Sequence, residues 1–121
     1  MKIKQYDIWI ADLNPRSGTE SGKTRPVVIM QSDLLNAADH PSTIICPLTT
    51  QLQADVGVLR VYLDQGDGNM KAKSGIMVDQ IRAIDNSRLV KRIGRLPEEL
   101  IKKLRDNVKI VLDLDIQADG T

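Results

Sequence analysis

Apolar residues come in short bursts separated by polar turn material, and no burst exceeds four residues (Ile8 to Ala11, Val27 to Met30). Runs of that length cannot cross a bilayer, so no membrane span is expected. Tyr6-Asp7-Ile8-Trp9-Ile10 is rich in β-formers and leads into Asn14-Pro15-Arg16-Ser17-Gly18, which predicts a strand followed by a turn. An exposed loop is expected over 17–24, and Pro26 to Gln31, rich in β-branched residues, reads as a mostly buried strand. Ser32 to Asn36 reads as a short helix capped by Ser32. Further strands are expected over 42–48, 58–63, 75–81 and 91–96. In the second of these, Val58, Arg60 and Tyr62 alternate with Leu59, Val61 and Leu63, so one face should be wet. Helical spacing appears only in the last segment, where Leu100, Leu104, Val108 and Val111 repeat behind Pro97, Glu98 and Glu99. The pattern predicts a mainly β, α+β chain: a small antiparallel barrel or curled sheet with a long C-terminal helix and short additional helices.

With 121 residues, 41% apolar and 27% charged, the composition is that of one globular domain over 1–121, with an acidic, flexible tail from about 113 to 121. A lone Cys46 forms no internal disulfide, which makes a cytoplasmic location the expectation. Cys46 alone and a lone His40 also offer no metal-ligand cluster, so no metal or other cofactor is expected. The net charge of +1 hides a local excess: residues 88–105 carry seven basic and two acidic side chains. Such a run can attract phosphate or can simply be a solvated face. One tryptophan, two tyrosines and no phenylalanine argue against a platform that stacks several bases.

Arg25 stands where a glycine-containing loop enters a buried strand, and Pro26 pushes its backbone towards the extended region. A guanidinium on such a base can fork onto a phosphate; it can equally pair with a carboxylate such as Glu20. Thr49-Thr50-Gln51 follows a strand end, where two hydroxyls and an amide can meet phosphate oxygens or base edges, or can form a turn that satisfies backbone N–H groups. Glu20 and Asp79 are the carboxylates beside loops and strand ends, each able to act as a general base or to remain an ordinary surface charge.

Tyr6-Asp7-Ile8-Trp9, Leu13-Asn14-Pro15, Gly18-Thr19-Glu20 and Thr24-Arg25-Pro26-Val27-Val28-Ile29 together resemble the opening of the MazF/PemK family of toxins. Pro47-Leu48-Thr49-Thr50-Gln51, Asp79-Gln80-Ile81-Arg82-Ala83-Ile84-Asp85 and Leu96-Pro97-Glu98-Glu99-Leu100 extend the likeness, in order, to about Leu112.

The resemblance implies an SH3-like β-barrel, a homodimer, and the toxin half of a type II toxin–antitoxin system held inactive by a cognate MazE-like antitoxin. The implied activity is metal-independent, sequence-specific cleavage of single-stranded RNA or mRNA, leaving 2′,3′-cyclic phosphate and 5′-OH ends. By the same likeness Arg25 and Thr49 are catalytic, with Glu20 first and Asp79 second as candidate base. Ser17, Thr19, Lys23, Thr50, Gln51, Asp79 and Gln80 would line the RNA path. Some PemK-like members use a histidine and an arginine where this chain has Thr19 and Met77, so that acid–base trio does not carry over. Two other readings are a catalytically silent antitoxin-binding module and a CcdB-like protein that binds gyrase without cutting RNA. The basic run 88–105 could meet RNA, an acidic antitoxin tail or only solvent.

Overall fold

The computed structural model describes residues 2–15, 18–20 and 22–114. Ser17 and most of the expected acidic tail (115–121) lie outside them. Seven strands and two α-helices follow in the order β1 (Asp7–Asp12), β2 (Thr24–Ile29), α1 (Asp33–Ala37), β3 (Ser42–Thr49), β4 (Arg60–Leu63), β5 (Ser74–Met77), β6 (Arg82–Asp85), β7 (Leu89–Arg95) and α2 (Glu98–Val111).

Every strand pairing is antiparallel, and the sheet runs β4-β5-β3-β2-β1-β7 with β6 added beside β3. The eight-residue β3 is the hub: Ser42 to Ile45 pair with β6, Ile45 to Pro47 with β2, and Leu48 and Thr49 with β5. Successive residues of a strand point to opposite faces, and here both faces are covered. Ile8, Val28, Cys46, Leu48, Val61 and Ile76 pack beneath α2 through Ile101 and Leu104. Trp9, Ala11, Val27, Ile29, Ile45 and Leu89 form a second cluster on the opposite side. That is why Val27-Val28-Ile29 is apolar without a break.

Four sequence expectations change. The strand foreseen over 75–81 stops at Met77 and gives way to a 3₁₀ turn at Val78–Gln80, with a separate strand, β6, starting at Arg82, and Gly57–Leu59 is also a 3₁₀ turn rather than the start of β4. Pro97 is the N-cap of α2 instead of lying in its first turn, and its carbonyl accepts from the Leu100 and Ile101 N–H groups. The sheet is also not a closed barrel: β4 and β7 end the strand order without pairing to each other. The 3₁₀ turn Asp67–Asn69, just after β4, reaches the β7 edge instead, where the Asn69 amide donates to the Ile93 carbonyl at 2.9 Å.

That bridge needs two glycines. Gly68 holds φ +57, and a Cβ on Gly94 would collide with the Gly68 carbonyl. Backbone must move to admit it, so Gly94→Ala is expected to cost about 2 kcal/mol, as overpacking does. Urea unfolding reads this directly, and a midpoint equal to the wild type's would refute the bridge.

Cys46 sits in the same core, fully buried. Burial, with the Asp79 charge adding to it, pushes the thiol from 9.0 up to about 12. The folded protein therefore keeps the proton where the unfolded chain loses it, and stability falls as pH rises from 9.0 towards about 12. A thiol reagent at pH 9 is expected to label Cys46 only when urea has unfolded the chain. Rapid labelling without denaturant would contradict this burial.

Candidate active site

Hydrogen bonds between β2 and β3 recur at every second residue; the one just beyond β2 runs from the Met30 N–H to the Ile44 carbonyl at 2.8 Å. Continued back along the register Val28↔Cys46 and Val27↔Pro47, this alternation brings Pro26 opposite Leu48, where a strand N–H belongs. Pro26 has none. The Leu48 carbonyl accepts instead from Arg25 Nη1 at 3.3 Å, while Arg25 Nε donates to the Gly22 carbonyl at 3.0 Å. The half-buried guanidinium is thus tied to the loop before β2 and to the residue preceding Thr49. Thr49 ends β3, and its Oγ1 accepts from the Gln51 N–H at 3.1 Å. The turn reading of Thr49-Thr50-Gln51 is therefore correct, and it leaves the Thr49 hydroxyl proton to donate.

These groups open onto a groove of about 670 Å³ lined by Thr19, Glu20, Lys23, Arg25, Thr49, Thr50 and Gln51. Seven of the ten site residues foreseen from sequence are thereby brought together. Ser17 is outside the described residues. Asp79 and Gln80 lie in the 3₁₀ turn after β5 and are not part of the groove lining. Asp79 is bound by Arg60 on β4, Nη1 to Oδ1 at 2.9 Å. Glu20 does not pair with Arg25; its Oε2 lies 3.3 Å from Arg82 Nη1 on β6.

Asn14, Ser74 and Met77 also line the groove and were not singled out from sequence. Asn14 had a signal, since it opens a turn, and its side-chain oxygen accepts from the Lys23 N–H at 2.8 Å. Arg88 Nη1 donates to the carbonyls of Asp12 and Asn14, so the start of the β1–β2 loop is fastened as well. Met77 was noted only as a departure from the PemK-like pattern, and Ser74 had no signal, because the groove reaches it only through the pairing of β3 with β5.

Part of the basic run is engaged within the fold. Arg92 Nε lies 2.9 Å and Arg95 Nη1 3.8 Å from the buried Asp7 carboxylate, and Lys102 pairs with Asp106 along α2. His40 stays in its loop, its Nδ1 against the Ser42 carbonyl. Among the described residues no group of three or more His, Cys, Asp or Glu could hold a metal. No helix among them is long and apolar enough to cross a membrane.

Residues 4–112 match the family described as PemK-like, MazF-like toxin of type II toxin-antitoxin system. The chain is 34% identical to Endoribonuclease EndoA of Bacillus subtilis over 94% of its length and 97% of that protein. It is 30% identical to Endoribonuclease MazF of Staphylococcus saprophyticus, covering 93% of this chain and 92% of that one. Its fold is similar to MazF of Deinococcus radiodurans, at a TM-score of 0.78 and 19% identity over 93% of this chain and 98% of that one. A MazE-MazF complex from the same organism matches with a TM-score of 0.74 at 19% identity, over 95% and 99%. The chain belongs to the family of PemK-like, MazF-like toxins of type II toxin–antitoxin systems.

Proposed function

We propose that this chain is one MazF/PemK-like toxin domain over 1–121, an open SH3-like barrel, that cleaves single-stranded RNA in the cytoplasm. It works as a homodimer without metal and is restrained by a MazE-like antitoxin. Relatives named endoribonuclease at 34% and 30% identity support the activity. The family's place in toxin–antitoxin systems supports the partner.

The observation that carries the chemistry is Arg25 bonded to the Leu48 carbonyl, one residue before Thr49, at the wall of an open polar groove. In RNA the nucleophile comes from the substrate. The ribose 2′-oxygen forms a bond to the adjacent phosphorus, the bond to the 5′-oxygen breaks, and a 2′,3′-cyclic phosphate and a 5′-hydroxyl remain. The protein has to hold the in-line geometry, offset negative charge on the phosphoryl oxygens, and move two protons. Side chains can do the first two and take the 2′-hydroxyl proton, and water in the open groove can give the departing 5′-oxygen its proton.

Arg25 is the charge-neutralising group: it stays protonated at any working pH, which suits it to an anion and disqualifies it as a base. Thr49 donates to a phosphoryl oxygen beside it. Glu20 is the carboxylate in the groove and takes the 2′-hydroxyl proton, with Arg82 holding it in place. Asp79 is the weaker choice, committed to Arg60 and away from the groove lining. Thr19, Lys23, Thr50 and Gln51 offer donors and acceptors along the RNA path, which suits reading base edges in an unpaired strand.

The decisive experiment is digestion of a long, weakly structured RNA in excess EDTA with end mapping. The wild type is expected to cut at a short recurring sequence and leave cyclic-phosphate ends. Arg25→Ala is expected to lose about 10³-fold in rate and Thr49→Ala about 10²-fold. Glu20→Gln is expected to lose about 10²-fold, the usual worth of a general base. Uncut RNA from a protein that still binds an antitoxin, or inhibition of gyrase, would overturn the nuclease reading. A Thr49→Ala or Glu20→Gln variant as fast as wild type would remove that residue from the mechanism.

A further inference from the structure

Thr49 at the end of β3 stands opposite Gly75 of β5, and Gly75 stands opposite Tyr62 of β4. Residues opposite one another on neighbouring strands share a face of the sheet. The adjacent row, Leu48, Ile76 and Val61, faces the core, so Thr49, Gly75 and Tyr62 form a row on the other face. Two strand spacings, about 10 Å, separate the Thr49 and Tyr62 backbones. Met77, two residues beyond Gly75 on that face, lines the groove together with Thr49, whereas Tyr62, at the far end of the row, is not among the lining residues.

Gly75 gives the Tyr62 ring its place. A Cβ at position 75 would lie 3.3 Å from Tyr62 Cε1 and 3.4 Å from Cδ1. The ring therefore leans across β5 over the glycine, on the side towards Thr49. Its hydroxyl donates to the Gln53 carbonyl at 2.6 Å, which fixes the ring against the loop that carries Thr50 and Gln51. The residue is half-buried. The other two aromatic residues are placed differently: Trp9 is buried in the second core cluster, and Tyr6 packs against the first.

We propose that Tyr62 is a base-stacking platform on the RNA path and receives the nucleobase next to the cleaved phosphodiester. The inference rests on the nuclease reading above and adds a subsite to it. A ring held flat at its edge by a hydrogen bond has already given up its rotamer freedom, so stacking a base on it costs little ordering. Every base has a π-face, so the platform supplies affinity and register without choosing the sequence. It acts on substrate binding, whereas Arg25 and Thr49 act on the reacting phosphate.

The test uses an oligoribonucleotide carrying the cleavage sequence mapped with the wild-type protein. Tyr62→Ala and Tyr62→Leu, the latter keeping apolar bulk, are expected to raise KM about tenfold with kcat within about threefold of wild type. Tyr62→Phe, which keeps the ring and loses the bond to Gln53, is expected to stay within about twofold. A matching oligonucleotide, 2′-deoxy at the cleaved position and carrying 2-aminopurine beside it, is expected to lose fluorescence on binding wild type and Tyr62→Phe but not Tyr62→Leu. A Tyr62→Leu variant with unchanged KM and full quenching overturns the platform while leaving the nuclease reading intact. A Tyr62→Phe variant as impaired as Tyr62→Leu assigns the effect to the loop anchor and also overturns it. A wild type that cleaves no RNA refutes both.

Discussion

A proline in a paired strand leaves a carbonyl opposite it without its donor, and the site is organised around how this chain answers that. Pro26 has no N–H to give Leu48, and a buried carbonyl left unpaired costs on the order of 1–3 kcal/mol. Arg25, one residue earlier, sends its own guanidinium across to make the bond. The same side chain bonds the Gly22 carbonyl and so closes the loop before β2. The missing backbone donor is thereby replaced by the side chain to which the proposed mechanism gives the phosphate charge, and both bonds hold Arg25 in place. Preorganisation of this kind is what gives a fixed positive charge its value to a transition state.

The loop that carries Glu20 depends on the sheet in a similar way. Between Asp12 and Thr24 the chain leaves the sheet, and polar bonds return it: Leu13 N–H to the Lys23 carbonyl, Lys23 N–H to the Asn14 side chain, Arg88 to the carbonyls of Asp12 and Asn14, and Arg82 to Glu20. Both arginines come from the β6–β7 region, more than sixty residues away in the chain. They explain where part of the basic charge goes. Part of what looks in the sequence like an electrostatic footprint is spent on internal fastening, including the two arginines on Asp7. The basic charge lining the groove is correspondingly local, carried by Arg25 and Lys23.

Local signals explain which parts could be read in advance. The strands containing Ile8, Val28 and Cys46, the Ser32 cap and the amphipathic last helix are written in propensity and period, and each occurs where the pattern puts it. Arg25, Thr49 and the loop residues were legible because a strand end next to a polar loop is a local feature, and the family likeness ordered them. Asp79 and Gln80 fall outside the groove lining, and Asp79 is held by Arg60, nineteen residues away on another strand, which no local pattern shows. The end of β5 at Met77 and the separate strand β6 from Arg82 were invisible for the same reason: β3 pairs with β5 at Leu48 and Thr49 and with β6 at Ser42 to Ile45, and that division exists only in the assembled sheet.

Tyr62 shows what cross-strand register adds to a sequence pattern. Alternation alone correctly placed Tyr62 and Arg60 opposite Val61 and Leu63, yet it could not say what lay beside them. Register puts Gly75 between Tyr62 and Thr49, and the missing side chain at Gly75 lets one ring cover ground that belongs to the neighbouring strand. Few aromatics argued against a platform of several rings, and that argument stands. A single ring, however, needs only one empty place in the sheet and one anchor for its edge. Gly75 supplies the first and the Gln53 carbonyl the second. The face that carries Thr49 therefore also carries the ring proposed as a platform, with no change to the fold that holds Arg25.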